Sequence, residues 1–198
     1  YVLLRPQWKS WLVKGAYIIT IFGGLVTIKL IDNIYGFNWN WLWVLGSIFS
    51  VLGAIYTAFL FAQARARDLW QSKWVSATHM LVHAIISGSF VLMIVSPLSK
   101  NYMANFLLLS ITINIIIIMK EILFPHNTPD SKKAIHLMTK GYYSKYFWLG
   151  ITLGSFIPII MLSTQIGELV IIAGVLSLIG NYLTEYVRIR IPQMIPLS

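Results

Sequence analysis

Apolar residues run through this chain in long unbroken stretches, and polar residues are confined to short segments between them. Six of the stretches are near the roughly 20 residues that an α-helix needs to cross a membrane. They cover residues 11–31, 41–61, 76–96, 102–123, 146–163 and 166–187. The isoleucine run at 115–118 has none of the alternation that marks a transmembrane β-barrel. The pattern therefore predicts an all-α membrane protein, a bundle of about six transmembrane helices.

The polar breaks between these stretches predict the connections of the bundle. They lie at residues 32–38, 65–73, 97–100, 125–143 and 163–165. In the first, Asp32-Asn33 and the following glycine predict a short turn. The longest contains Thr128-Pro129-Asp130-Ser131, a helix-capping signature, so we expect a short interfacial helix at residues 131–141. No repeat divides the chain, which predicts a single transmembrane domain over residues 1–198.

Composition supports lipid as the solvent of this chain. Of its 198 residues, 58% are apolar and 11% are charged, whereas soluble domains carry roughly 25% charged residues. Cysteine is absent, which excludes thiolate iron–sulfur ligation, c-type haem attachment and disulfides within this chain. The chain begins at Tyr1 without a visible signal peptide. We expect that it belongs to a longer protein whose N-terminal part is missing here.

The lysine and arginine residues test this topology independently. With six spans, the N-terminus, the second loop, the fourth loop and the C-terminus share one side, and only Lys29 and Lys100 fall on the other. The positive-inside rule places the basic side in the cytoplasm. The net charge of +9 then reflects topology and contact with anionic lipids, not nucleic-acid binding. The basic side holds Arg5, Lys9, Lys14, Arg65, Arg67, Lys73, Lys120, Lys132, Lys133, Lys140, Lys145, Arg188 and Arg190.

Polar groups inside membrane spans are the first candidates for function, since they are costly to place in lipid. His79 and His83 lie one helical turn apart on the third predicted span and share one face. Tyr56 and both histidines lie within about 11 Å of the basic side at 1.5 Å of rise per residue. Because consecutive helices usually pack together, we predict that the three side chains line one pocket.

These residues also have purely structural interpretations. Tyr56 can anchor the protein at the interface, and either histidine can hydrogen-bond a neighbouring helix. Glu121 and His126 bracket the end of the fourth span and can either carry protons or form an ion pair in a hydrated loop. Other polar side chains are expected to join helices or to extend their charged ends to the membrane surface. They are Asn105, Asn114 and Asn181 in the first role and Lys14 and Lys29 in the second.

Several chemistries have no motif here. The sequence contains no P-loop, nucleophile elbow, zinc-binding His-Glu-x-x-His helix or selectivity-filter sequence, and we expect no metal site. A haem held by two histidines needs ligands from two helices. His79 and His83 share one helix, and His126 and His136 lie in or near a loop. We therefore expect no haem, although a pair of histidine and methionine ligands stays open.

Several short motifs together follow the order of a known family. They are Arg5-Pro6-Gln7, Ser10-Trp11-Leu12-Val13-Lys14-Gly15-Ala16-Tyr17, Tyr56-Thr57-Ala58-Phe59-Leu60-Phe61, Arg67-Asp68-Leu69-Trp70-Gln71-Ser72, Gly88, Glu121, Pro125-His126-Asn127-Thr128, Gly141, Phe147-Trp148, Glu185-Tyr186-Val187-Arg188, Pro192-Gln193 and Pro196-Leu197-Ser198. With them the chain resembles the NrfD/PsrC family, whose type member is the membrane subunit of polysulfide reductase. The family usually has eight or more spans. The resemblance therefore implies that this chain is the C-terminal part of such a fold, and that absent N-terminal helices hold part of the site.

The resemblance implies a quinone-interacting membrane anchor of a respiratory oxidoreductase complex. Menaquinone or ubiquinone would bind near the membrane surface, with Tyr56 donating a hydrogen bond to one carbonyl. Glu121 and His126 match family positions near the interface and would serve proton transfer. An iron–sulfur subunit would exchange electrons with the quinone, and a catalytic subunit would carry molybdopterin. From depth alone, and not from the family, we expect His79 or His83 to bond the other carbonyl or relay its proton.

Two other function classes compete with this hypothesis. An ion-translocating or transporter-type subunit would need internal symmetry or a charged path through the membrane, and the centres of the predicted spans contain no carboxylate. A purely structural anchor would share the basic loops but would need no cluster of Tyr56 with the histidines. Quinone binding separates the structural anchor from the redox subunit.

Overall fold

The computed structural model describes residues 4–63, 72–96, 100–123 and 128–195. Within these ranges the chain forms α-helices, and no described residue lies in a β-strand. The helices are α1 (Trp11–Tyr35), α2 (Trp41–Phe61), α3 (Lys73–Val95), α4 (Lys100–Leu123), α5 (Pro129–Thr139), α6 (Ser144–Ser163) and α7 (Gly167–Arg190), which a 3₁₀ turn at Ile191–Met194 follows.

All of these helices except α5 are long and apolar enough to cross a membrane. The protein is therefore a multi-pass α-helical membrane protein, which confirms the predicted fold class. The predicted spans differ from the observed helices by about one helical turn at most. The loop predicted at 65–73 and the turn predicted at 97–100 fall largely outside the described residues.

The short helix α5 confirms the capping signature in the longest connection. Thr128 is its N-cap, and the Thr128 hydroxyl accepts a hydrogen bond from the backbone N–H of Ser131 at 3.2 Å. Pro129 occupies the first helical turn, where a missing N–H has no cost. The helix buries Ser131, Ala134 and Met138 against the bundle. The lysines between these positions, Lys132 and Lys133, are exposed.

The first helix corrects the predicted turn at Asp32-Asn33. Helix α1 continues to Tyr35 and ends where Gly36 adopts a left-handed φ of 73°. Asp32 is buried inside the last turn because its carboxylate has partners there. The Asp32 Oδ2 atom lies 2.5 Å from Lys29 Nζ, and its Oδ1 atom accepts a hydrogen bond from the N–H of Trp39 at 2.9 Å. A carboxylate satisfied by its own helix and the following loop does not break the helix.

Helix α3 lies at the centre of the bundle and packs against α2, α4 and α7. Its apolar side chains Val82, Ile86 and Phe90 form a buried cluster with α4 and α7. Helix α1 packs mainly against α2. In the most apolar stretch of each helix, 39% of the residues of α7 are buried, but only 11% of those of α2. The hairpin of α1 and α2 therefore turns most of its surface outward, and α3 to α7 form the densely packed part.

Helices α6 and α7 approach each other closely through glycines. A methyl group built on Gly154 would lie 2.7 Å from the Cα atom of Gly180, and Gly150 faces the same turn of α7. The contact region of α6 includes a wide π-helical turn at Thr152–Phe156. Pro158, four residues after Gly154, provides no N–H to the Gly154 carbonyl, and its ring crowds the preceding turn, which accounts for the widening.

We expect Gly180→Ala to destabilise the protein by about 1–3 kcal/mol, because its new methyl group would meet backbone atoms that cannot rotate away. Thermal unfolding in detergent measures this effect. Gly53→Ala is the matched control, since a methyl group there has nothing within 4 Å. Equal unfolding midpoints for the two variants would contradict the close helix contact.

Candidate functional site

The two histidines of α3 form the centre of a buried polar cluster. Their rings are in edge-to-face contact, with centroids 4.3 Å apart and planes at 80°. His79 is 1% exposed, and the His83 side chain is 11% exposed. The contact follows from their spacing of four residues, which places both rings on one helix face. That face is turned toward α7.

Arg188 of α7 reaches into the cluster and connects three helices. Its Nη1 atom contacts Nδ1 of His79 on α3, and its Nη2 atom donates to Oε1 of Glu121 on α4 at 3.0 Å. The sequence predicted Arg188 as a basic residue of the cytoplasmic side in contact with anionic lipids. The lipid contact is wrong, since Arg188 is 2% exposed, and the side of the membrane stays a prediction. Helix α7 extends past the predicted end of its span, so Arg188 lies within the bundle.

Glu185, one turn before Arg188, brings a second carboxylate to the same place. Its Oε1 atom lies 3.6 Å from Nδ1 of His83, 4.0 Å from Nε2 of His79 and 3.9 Å from Nη1 of Arg188. No described residue donates a hydrogen bond within normal geometry to either Glu185 oxygen. Glu185 therefore holds acceptor capacity that ion pairs at these distances leave unused.

Three of the five side chains in the cluster are charged when both imidazoles are neutral. Arg188 contributes one positive charge, and Glu121 and Glu185 contribute two negative charges. A buried charge without a partner is expensive in a medium of low dielectric. The pairing of Arg188 with Glu121 offsets this cost for both groups.

The guanidinium group of Arg188 determines the hydrogen-bond roles in the cluster. A guanidinium group only donates, so the ring nitrogen of His79 that it touches most closely, Nδ1, must accept. The neutral ring then carries its proton on Nε2, the nitrogen 4.0 Å from Glu185. The result is a chain of polar groups from Glu121 through Arg188 and His79 to Glu185.

The same geometry argues against a metal ion, although the ligand types fit one. His79, His83 and Glu185 offer atoms that all lie within 4.8 Å of one another, and two histidines with a carboxylate are a common zinc ligand set. Nε2 of His79 has no lone pair for a metal while Arg188 donates to Nδ1. The guanidinium would also stand next to the added cation. Hydrogen bonding describes this cluster better than coordination.

The three asparagines predicted to join helices lie in different environments. Asn114 of α4 is 2% exposed and lies beside His79 and His83. Its Oδ1 atom has no hydrogen-bond partner among the described residues. Asn105 is exposed on α4 and bonds no other described helix, so its joining role stays a prediction. The third, Asn181, is buried at the glycine contact of α7.

Tyr56 lies on α2 with its ring packed over Gly15 of α1, where a methyl group would overlap the ring. Its hydroxyl has no hydrogen-bond partner among the residues that the structure describes. No hydrogen bond or ring contact joins Tyr56 to His79 or His83 in that part of the chain, so the common pocket stays a prediction. Of the two predicted proton carriers, Glu121 joins the cluster, and His126 lies outside the described residues.

Glu185 and Arg188 are the site residues that sequence reasoning missed. The signal was present, since two charged residues three positions apart in or next to an apolar span share one helix face. Predicting the end of that span at residue 187 placed Arg188 outside the membrane. Which helix the shared face meets depends on packing, and the apolar pattern carries no such information.

A family model described as polysulphide reductase, NrfD, matches residues 1–196 of the chain. Comparisons with curated proteins and with solved structures find no match.

We expect Arg188→Met to destabilise the protein by about 3–5 kcal/mol, because it leaves buried carboxylates without their cation. Thermal unfolding in detergent is the measurement. Arg190→Met is the control, since Arg190 belongs to the same helix end but is exposed. The double variant Arg188→Met with Glu121→Gln should regain part of the loss. Equal effects of the two single arginine variants would contradict the assignment of Arg188 as the central cation.

Proposed function

The chain belongs to the polysulphide reductase NrfD family, and from this premise we propose that it is the quinone-reactive membrane anchor of a respiratory oxidoreductase complex. The family consists of membrane subunits of oxidoreductase complexes, and the six spans of this chain agree with such a role. The quinone, menaquinone or ubiquinone, would exchange electrons with an iron–sulfur subunit. A further subunit, with molybdopterin, would act on the substrate of the complex.

The observation that carries the proposal is the buried cluster of His79, His83, Glu185, Arg188 and Glu121. A quinone takes up two electrons and two protons when it is reduced to the quinol. The surrounding hydrocarbon offers neither hydrogen bonds nor protons, so a protein that hosts this reaction needs buried polar groups. A purely structural anchor has no need for five ionisable side chains inside its helices, each of which is costly to place there.

Hydrogen-bonding groups without partners support the fit of a quinone headgroup. They include the hydroxyl of Tyr56 and Nε2 of His83, neither of which has a partner among the described residues. Tyr56 would donate to one carbonyl of the quinone. His83 is the more exposed of the two histidines and would bond the other carbonyl. Arg188 would fix the ring of His79 beside it.

Proton movement would use the polar groups that lead from the cluster toward the basic side. Glu121 lies near the end of α4 and contacts Arg188, and the connection that contains His126 follows directly in the sequence. We propose that this side is cytoplasmic, in agreement with the positive-inside rule. Because the chain has no cysteine, iron–sulfur clusters with thiolate ligands must be held by a partner.

A second candidate function is ion translocation without a bound quinone. The buried Glu185 favours it, because an ion path needs ionisable side chains inside the bundle. The internal symmetry typical of many transporters is not visible in the sequence. Quinone binding again distinguishes the two functions.

We expect Tyr56→Phe to weaken binding of a quinol-analogue inhibitor by up to about tenfold, which corresponds to the loss of one hydrogen bond. Fluorescence titration of the inhibitor into the purified complex measures the affinity. Tyr102→Phe is the control, because Tyr102 is exposed at the other end of the bundle. Unchanged binding in Tyr56→Phe would remove Tyr56 from the site, and absence of saturable binding to the unmodified complex would overturn the quinone function.

A further inference from the structure

A groove rich in tyrosine runs along the outer face of α7 near its C-terminal end. Its first part has a volume of about 400 Å³, and an adjoining part of about 290 Å³ shares two tyrosines with it. We call the two parts together the tyrosine groove. The first part is lined mainly by exposed residues, which are Tyr182, Tyr186, Ile189, Arg190 and Gln193. The second part extends to Tyr142 and Tyr146 around the beginning of α6.

The tyrosine groove follows one outward stripe of α7. Tyr182, Tyr186 and Ile189 lie four and three residues apart, so they share a helix face, and all three are exposed. The stripe ends at Arg190, the last residue of the helix. At 1.5 Å of rise per residue, Tyr182 and Arg190 are about 12 Å apart along the helix axis. The groove therefore extends from the charged end of a membrane span toward the region of the acyl chains.

Positive charge lies at the mouth of the tyrosine groove. Arg190 is exposed and lies over the ring of Tyr186 at 5.7 Å. Lys145 is exposed between Tyr143 and Tyr146, which belong to the groove wall. Neither cation forms an ion pair with a described residue. A guanidinium group that lies over a ring keeps its N–H groups at the edge, where two of them can bind one phosphate.

The carboxylate in this region is turned away from the tyrosine groove. Glu185 contributes to the groove wall, but both of its oxygens are buried. Its Oε1 atom lies 3.6 Å from His83 and 3.9 Å from Nη1 of Arg188, inside the bundle. None of the other described residues that line the groove is acidic. The open surface thus presents cations without an accessible carboxylate, and an anionic group is its electrostatic complement.

Tyrosine rings form the walls below these cations. Tyr182 and Tyr186 are stacked with ring centroids 6.5 Å apart, and Tyr182 is 70% exposed. The hydroxyl of Tyr182 has no hydrogen-bond partner among the described residues. At the membrane interface, such a ring packs against acyl chains while its hydroxyl donates to ester or phosphate oxygens. The groove therefore offers cations at its mouth and apolar surface with hydroxyl donors along its length.

A phospholipid with an anionic headgroup has its chemical groups in the same order. Its phosphate lies in the headgroup region, and its acyl chains extend from there into the hydrocarbon. An acidic peptide would match the cations, but it would leave the lipid-facing tyrosine walls unused. The groove of about 440 Å³ between α1 and α2 is a weaker candidate, because its cation Lys29 is already paired with the buried carboxylate of Asp32.

We propose that the tyrosine groove is a binding site for one anionic phospholipid. Arg190 donates hydrogen bonds to the phosphate, and Lys145 adds to the positive potential around it. Tyr182 and Tyr186 pack along an acyl chain. The sequence predicted contact between the basic side and anionic lipids from charge alone, whereas the groove makes one such contact a defined site with its own shape. The proposal does not depend on the quinone function.

Native mass spectrometry of the purified, delipidated complex tests the proposal with phosphatidylglycerol and zwitterionic phosphatidylcholine of equal acyl chains. We expect phosphatidylglycerol to bind about five times more tightly, which is the effect of one basic residue near an anionic headgroup. Arg190→Gln should abolish this preference, and Tyr182→Ala should weaken binding of both lipids about fivefold. Lys132→Gln is the matched control and should keep the preference, because Lys132 is an exposed cation of α5 that does not line the groove.

A photoreactive phosphatidylglycerol, with a diazirine on one acyl chain, locates the bound lipid in nanodiscs of phosphatidylcholine. Mass spectrometry of the digested chain then identifies the labelled peptides. We expect label on residues 182–193, with weaker label on residues 142–146 of the groove wall. Excess phosphatidylglycerol should remove this label, whereas the same concentration of phosphatidylcholine or of inorganic phosphate should not.

Three results would overturn the proposal. Equal loss of the lipid preference in Arg190→Gln and Lys132→Gln would show general attraction to the basic side and no defined site. Label that phosphatidylcholine removes as effectively as phosphatidylglycerol would show unselective contact with lipid. Absence of label from residues 142–146 and 182–193 in the complex would show that lipid does not occupy the groove, as expected if a partner chain covers it.

Discussion

The positive charge of Arg188 inside the helical bundle is the constraint on which the rest of the site depends. Lipid and apolar side chains cannot solvate a guanidinium group, so its partners must come from the protein. Glu121 of α4 and His79 of α3 meet it from two different helices. The three helices are therefore held in one arrangement by the need to satisfy a single cation. Apolar packing alone would permit many rotations of a helix about its axis.

The bundle is built so that this arrangement is rigid. Glycines at 150, 154 and 180 let α6 approach α7 closely, and a wide turn before Pro158 shapes the contact. On the other face of α7, apolar side chains of α3 and α4 complete the core. The α1–α2 hairpin is attached to this unit through α3 and exposes most of its surface. The polar cluster thus lies in the best-packed part of the molecule, and Tyr56 lies on the most exposed part.

Glu185 brings a second carboxylate to the two histidines. One of its buried oxygens lies within 4.0 Å of His79, His83 and Arg188. No described residue donates a hydrogen bond to its oxygens, which can therefore still accept one. The family assignment makes this chain a membrane subunit of an oxidoreductase complex.

The sequence alone determined the solvent, the fold class and the positions of the spans. Long apolar runs are a local property, and where they lack the alternation of a β-barrel the transmembrane helix is the structure that satisfies their backbone in lipid. The sharing of a face by His79 and His83 followed from helical spacing in the same way. Tertiary structure decided what that face meets. The burial of Arg188, its pairing with Glu121 and the position of Glu185 beside both histidines depend on the rotation and contact of α3, α4 and α7. These are set by small residues and packing between distant segments, which no pattern within a single helix records.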